Sequence, residues 1–167
     1  MFREVQQFRQ KWLWGVLLLS SAAGVLPFGY GLWQQRVWGQ PWGNVPLSDT
    51  ALVVANAIAV LLAVALLYFF YVLKLVTEVK ADGIHIQFFP LLRRTIAFVD
   101  IQGCQVRTYR PLREYGGWGI RFGFKGNAYN VSGDRGVELA FFQGKPLLIG
   151  SQKPEELAAA IQAHLPR

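Results

Sequence analysis

Cysteine occurs once, at Cys104, and histidine twice, at His85 and His164, in a chain of 167 residues. One cysteine forms no internal disulfide and builds no cysteine-based zinc site, and two histidines give metal chemistry little to start from. Charge is scarce too: Asp, Glu, Lys and Arg make up 16% of the chain, against about 25% in an average soluble domain. The scarcer sign is acidic, with 10 Asp and Glu against 17 Lys and Arg. With 53% hydrophobic residues and a mean hydropathy of +0.26, the chain is not intrinsically disordered and fits an ordinary cytosolic globule poorly. In so apolar a chain, a net charge of +7 points to a membrane surface ahead of nucleic acid. The patterns GxSxG, HExxH, GxGxxG and GxxxxGK followed by Ser or Thr are all absent. No catalytic residue, metal site or cofactor is expected, and the chain reads as non-enzymatic.

What is present begins with two long uncharged runs, Trp12 to Trp33 and Ala51 to Leu73. As helices, each would span about 33 to 35 Å, enough for a hydrocarbon core of about 30 Å. Trp12, Trp14 and Trp33 bracket the first run, and Tyr68 and Tyr71 stand near the end of the second, as interfacial aromatics do. Pro27 is expected to kink the first helix. A cleaved signal peptide is the rival reading, with Ser21-Ala22-Ala23-Gly24 as its cleavage site. Against it, the apolar run continues through Pro27 and Phe28 to Trp33. Basic residues flank the pair: Arg3, Arg9 and Lys11 before it, and Lys74, Lys80, Arg93 and Arg94 after it. Of basic residues the intervening loop holds Arg36 alone, so both termini are expected in the cytoplasm. The loop tryptophans Trp38 and Trp42 should then lie against the outer headgroups. Asn56, the most polar side chain in either run, suits an interhelical hydrogen bond better than a polar path.

Residues 74–167 change to a period of two. Ile84, Ile86 and Phe88 share a face behind the turn Asp82-Gly83. Ile96 and Phe98 follow, then Cys104, Val106 and Thr108. Ile120, Phe122 and Phe124 form the clearest alternation, and Val137, Leu139 and Phe141 repeat it before Leu147-Leu148-Ile149. No helical pattern interrupts them. Pro154, Glu155 and Glu156 then open a last helix striped by Leu157, Ile161 and Leu165. The expected architecture is a transmembrane hairpin (residues 1–73, helices about 12–33 and 51–73) followed by an antiparallel β-barrel or sandwich at 74–167. A C-terminal helix should cap it, in the pleckstrin-homology shape. His85 reads as a surface histidine near Asp82, His164 as a helix-end cation and Cys104 as a small core residue.

The run Tyr115-Gly116-Gly117-Trp118-Gly119-Ile120-Arg121, with Ala128-Tyr129-Asn130-Val131-Ser132-Gly133, Leu147-Leu148-Ile149-Gly150-Ser151-Gln152 and Pro154-Glu155-Glu156-Leu157, resembles uncharacterised bacterial membrane proteins. These carry a bacterial pleckstrin-homology-like domain after one or two helices, and the resemblance covers residues 74–165. It implies a fold and no ligand. On the residues themselves, Tyr115, Gly116, Gly117, Trp118 and Gly119 are the candidate partner-binding site, because glycines permit close backbone approach around a large flat ring. The alternative is a tight turn whose tryptophan folds back. Arg107, Arg110, Arg113, Arg121 and Lys125 surround the run with Glu114 as the one acid nearby, a candidate patch for anionic headgroups. A membrane-anchored interaction, scaffold or assembly protein is the leading expectation. Membrane lipids and another membrane protein or complex are its partners, with no nucleic acid; a lipid headgroup sensor is the alternative.

Overall fold

The computed structural model describes residues 1–44, 46–123 and 126–165. Two helices carry the long apolar runs, α1 (Lys11–Trp38) and α2 (Asp49–Val72). Ser48 starts α2 by accepting the Ala51 N–H on its hydroxyl at 3.2 Å, an N-cap. Both helices are exposed along most of their length; only Leu17 and Gly31 of α1 and Leu52 of α2 are buried. They form a hairpin whose connection folds back on itself. Trp42 sits where a Cβ on Gly31 would meet its ring at 2.6 Å, and Gln35 donates to the Leu47 carbonyl at 3.0 Å. Trp38 is still helical, so of the two loop tryptophans only Trp42 lies in the connection, packed edge-on to Phe28. The expected Asn56 hydrogen bond is not formed: its side chain faces Gly29, and its Oδ1 is buried without a partner.

The other unit combines residues 1–8 with residues 72–167. Its first sheet runs β1 (Phe2–Gln7), β2 (Lys74–Lys80), β3 (Gly83–Phe89) and β4 (Leu92–Ile96), antiparallel throughout. The second contains β5 (Ile101–Thr108), β6 (Gly119–Phe122), β7 (Asn127–Asn130), β8 (Arg135–Phe141) and β9 (Leu147–Gly150) in the order β5-β8-β9-β7-β6. Two short segments, α3 (Pro111–Tyr115) and the C-terminal α4 (Pro154–Gln162), complete it. A two-helix hairpin, two sheets and a C-terminal helix packed on them were expected. One strand pair departs from an antiparallel plan, because β7 runs parallel to β9.

Residues 1–8, read from the sequence as the flank of the first helix, belong with the sheets. Phe2 pairs with Val79 and Gln7 with Lys74, so the helical hairpin is inserted between two neighbouring strands. Burial alternates along β1, yet the inward positions after Phe2 are polar, Glu4 and Gln6. Each finds partners at the end of β9 or just after it. The Glu4 carboxylate accepts from the Ser151 hydroxyl at 2.5 Å and from the Gln152 N–H at 2.8 Å, and Gln6 donates to the Gly150 carbonyl at 2.7 Å. Those bonds satisfy the Glu4 carboxylate and the Gln6 amide N–H, which burial would otherwise penalise, while Gln6 Oε1 is buried without a partner.

The Asp82-Gly83 turn closes β2 on β3 as its chemistry predicts. Gly83 has φ of 147°, and a Cβ there would lie 2.4 Å from the Ile96 carbonyl oxygen, so only glycine fits. Ile84, Ile86 and Phe88 are buried as expected, as are Val137 and Leu139 of β8 and Leu147, Leu148 and Ile149 of β9. Leu157 and Ile161 are both fully buried on α4, which packs against β1 and β2 of one sheet and β5 and β8 of the other. The expectation fails at Phe122, which is 75% exposed, and in part at Val106, which pairs with buried Val137 yet is 37% exposed. Phe124 lies outside the described residues.

Candidate functional site

The glycine-tryptophan run begins in α3, a helix the alternation did not anticipate. Pro111 occupies its first turn, where a missing N–H costs nothing, and Glu114 reaches back to accept the Arg110 N–H at 2.7 Å. Gly116 ends it in a left-handed conformation at φ of 70°, and Gly117 (φ 121°) donates to the Pro111 carbonyl at 2.9 Å. The chain then enters β6. Three of the five candidate residues therefore shape a helix stop and a turn.

Trp118 is half-buried, and its indole N–H donates to the Gly133 carbonyl at 2.9 Å. Arg121 folds over the same turn, giving its Nε hydrogen to the Trp118 carbonyl at 3.0 Å. Beneath them, Tyr109 is buried and accepts from Asn130 Nδ2 at 3.0 Å, while Asn130 Oδ1 accepts the Gly119 N–H at 2.9 Å. Burial pushes the Tyr109 hydroxyl up to about 12, so it stays neutral and suits a structural bond. Tyr115 meets the Tyr109 ring edge-on at 5.9 Å. The whole run is a bonded turn laid on β7 and the 131–134 connection.

The basic patch divides. Arg107 is held between the carboxylates of Glu114 and Glu138, and Arg121 is spent on the turn. Arg110 and Arg113 are exposed, on either side of Leu112, which is itself 70% exposed. Lys125 lies outside the described residues. Sequence spacing brought five cations together, but Glu138 comes from β8, and no local pattern announces it.

The remaining candidates for chemistry have quiet surroundings. His85 contacts both Asp82 oxygens at 3.0 Å and the Thr95 hydroxyl at 3.2 Å. The hydrogen bond from His85 holds the Asp82 carboxyl below the usual range, but Asp82 is 68% exposed in its turn, and the trio lies open on the sheet surface. Cys104 is half-buried with its thiol pointing to the Ala158 carbonyl at 3.8 Å, and burial pushes it up, away from reactive thiolate character. His164 lies just beyond α4 and stacks on Phe98 at 5.0 Å.

The residue that sequence reasoning missed is Phe122. It stands on β6, the edge of the second sheet, beside the bonded turn. An inward assignment came from its alternation with Ile120, a signal that two-sided burial would share. The model of a family described as "Family of unknown function (DUF6141)" matches residues 1–166, taking in β1, the helical hairpin and both sheets together. No curated protein matches the chain.

Proposed function

The chain belongs to the DUF6141 family, and we propose that it is a non-enzymatic membrane anchor that offers its sheet unit to another membrane protein or complex. One observation carries the reading: β6 is an edge strand, with no second neighbouring strand among the described residues and Phe122 exposed on it. An edge of this kind accepts an added strand, with backbone bonds for affinity and an aromatic side chain for selectivity. The bonded Trp118 turn is the rigid support of that edge.

Anchoring is supported by the length, apolar composition and exposure of α1 and α2. The pairing of Gln7 with Lys74 means the chain leaves and re-enters one sheet at neighbouring positions. Both helix ends that join it therefore lie on one side, which the basic flanks make the cytoplasmic side of a bacterial inner membrane. A pleckstrin-homology-like plan is supported by the four-stranded sheet, the antiparallel neighbours β5, β8 and β9, and α4; the β6-β7 hairpin is then an insertion. The headgroup alternative at this site rests on Arg110 and Arg113 beside Leu112.

Two variants of the full chain in mild detergent test the reading. Phe122→Asp should melt like the parent, because the side chain is solvent-exposed, and should lose the co-purifying protein. Trp118→Ala should lose about 0.5–2 kcal/mol of stability, from a lost hydrogen bond and the packing of a half-buried ring, with binding that follows the folded fraction. A Phe122→Asp protein that keeps every partner contradicts the edge reading. Capture by anionic vesicles that weakens with salt, and is lost on Arg113→Gln, selects the headgroup alternative.

A further inference from the structure

The turn between β3 and β4 exposes an apolar tip. Phe89 is 38% exposed and Leu91 56%, with Pro90 between them, and the Leu91 N–H closes the turn on the Phe88 carbonyl at 2.7 Å. Water-facing apolar groups at a tight tip cost solvation unless something covers them. The register places this tip. Phe89 pairs with Lys74, and Lys74 pairs with Gln7, so the tip shares the end of the sheet where the chain departs for α1 and returns from α2. Only Leu73 stands between α2 and β2. At about 3.5 Å per residue, the end of the sheet that bears Lys74 is within one residue's reach of the helix.

Cations surround the tip. The Lys74 ammonium lies over the Phe89 ring, 5.5 Å from its centroid, and Arg93 and Arg94 follow the tip on β4. Beyond them a groove of about 420 Å³ opens on the outer face of the sheet, where Arg3, Lys74, Lys80 and Arg93 face the carboxylate of Glu78, whereas Arg94 pairs with buried Ile86 and lies over the Phe141 ring, 6.0 Å from its centroid. Glu78 is already paired with Arg3 at 3.1 Å and Lys80 at 2.8 Å, and those two cations hold its carboxyl below the usual range. Among the described residues, Arg93 has no ion pair. An apolar tip ringed by cations, with further positive charge behind it, complements an anionic interface: hydrocarbon takes the tip and headgroups take the charges.

We infer that the β3-β4 tip, Phe89 to Leu91, seats in the headgroup layer of the leaflet that the helices enter, with Lys74 and Arg93 on anionic phospholipid headgroups. The contact is a third attachment, besides the two chain connections, and it fixes how the sheet unit stands on the membrane. It therefore sets the height at which the β6 edge is presented. The inference rests on the reading that α1 and α2 span a bilayer.

The test uses the full chain, with Cys104→Ala, reconstituted in phosphatidylcholine vesicles with and without phosphatidylglycerol. Single cysteines at Leu91, Leu62 and Val99 carry an environment-sensitive fluorophore, and nitroxide-labelled lipid is the quencher. Leu62 is an exposed residue of α2, and Val99 is an exposed residue past Ile96, which pairs with Ile84 at the other end of the sheet. Expected are strong quenching at Leu62 in all vesicles, quenching at Leu91 that grows with phosphatidylglycerol, and none at Val99. Lys74→Gln with Arg93→Gln should reduce the docked-to-undocked ratio at Leu91 about fivefold per charge, leaving Leu62 unchanged. Leu91 as unquenched as Val99, with Leu62 quenched, overturns the docking and leaves the membrane-spanning reading standing. Quenching at Leu91 indifferent to phosphatidylglycerol and to the double variant overturns the headgroup contact. An unquenched Leu62 overturns the spanning reading and the docking together.

Discussion

Ile161→Asp is expected to unfold the sheet unit while leaving the helical hairpin helical. Ile161 is completely buried on α4, the helix that touches both sheets, so a carboxylate there loses its water and meets apolar neighbours. An uncompensated buried charge costs several kcal/mol even after it takes up a proton, against about 5–15 kcal/mol for a whole domain. Thermal melting of the full chain in detergent reads this directly. Ala159→Asp, on the exposed side of the same helix, should melt close to the parent and controls for helix propensity. A parent-like melt for Ile161→Asp would mean that α4 is not part of the core.

Removing Met1–Phe8 should be as damaging, although the deleted segment lies far in sequence from everything it supports. Phe2 and Phe8 are 8% and 6% exposed, and the Phe8 ring lies 6.2 Å from that of Phe88. Burying a phenylalanine stabilises by about 1.5–3 kcal/mol, and the orphaned partners of Glu4 and Gln6 add about 1–3 kcal/mol each. The sum approaches the stability of a small domain. A fragment of residues 74–167 should accordingly lack a cooperative melt, and an added peptide of residues 1–8 should restore one. A fragment that melts cooperatively without the peptide would show that β1 is dispensable.

That deletion also marks where the sequence stops being legible. The helices α1 and α2 could be read from the length of their uncharged runs, and β3, β8 and α4 because their buried faces are apolar at a regular period, as at Ile84, Ile86 and Phe88 or Leu157 and Ile161. β1 could not. Its inward positions include Glu4 and Gln6, whose burial makes sense only once Gly150, Ser151 and Gln152 are brought beside them from the other end of the chain. The site is only partly legible for the same reason. Glycine spacing marks residues 115–119 as unusual, but a binding loop and a bonded turn need the same glycines. The Gly133 carbonyl under Trp118 and the Glu138 carboxylate beside Arg107 are long-range partners that no local pattern shows. Phe122 looked inward by alternation, whereas an edge strand has less sheet to cover it.

In the proposed topology a bilayer-spanning hairpin is inserted between two paired strands, so that β1 and the remaining sheet strands stand on one side of the membrane. Single cysteines at Val5, Val99 and Leu47 on a Cys104→Ala background test it in sealed inner-membrane vesicles of known orientation. All three positions are exposed, Val5 on β1, Val99 after β4 and Leu47 between the helices. A membrane-impermeant maleimide should modify Val5→Cys and Val99→Cys from the cytoplasmic face only, and Leu47→Cys from the opposite face only. Val5 and Val99 reacting from opposite faces, or Leu47 reacting from the same face as both, would overturn this topology.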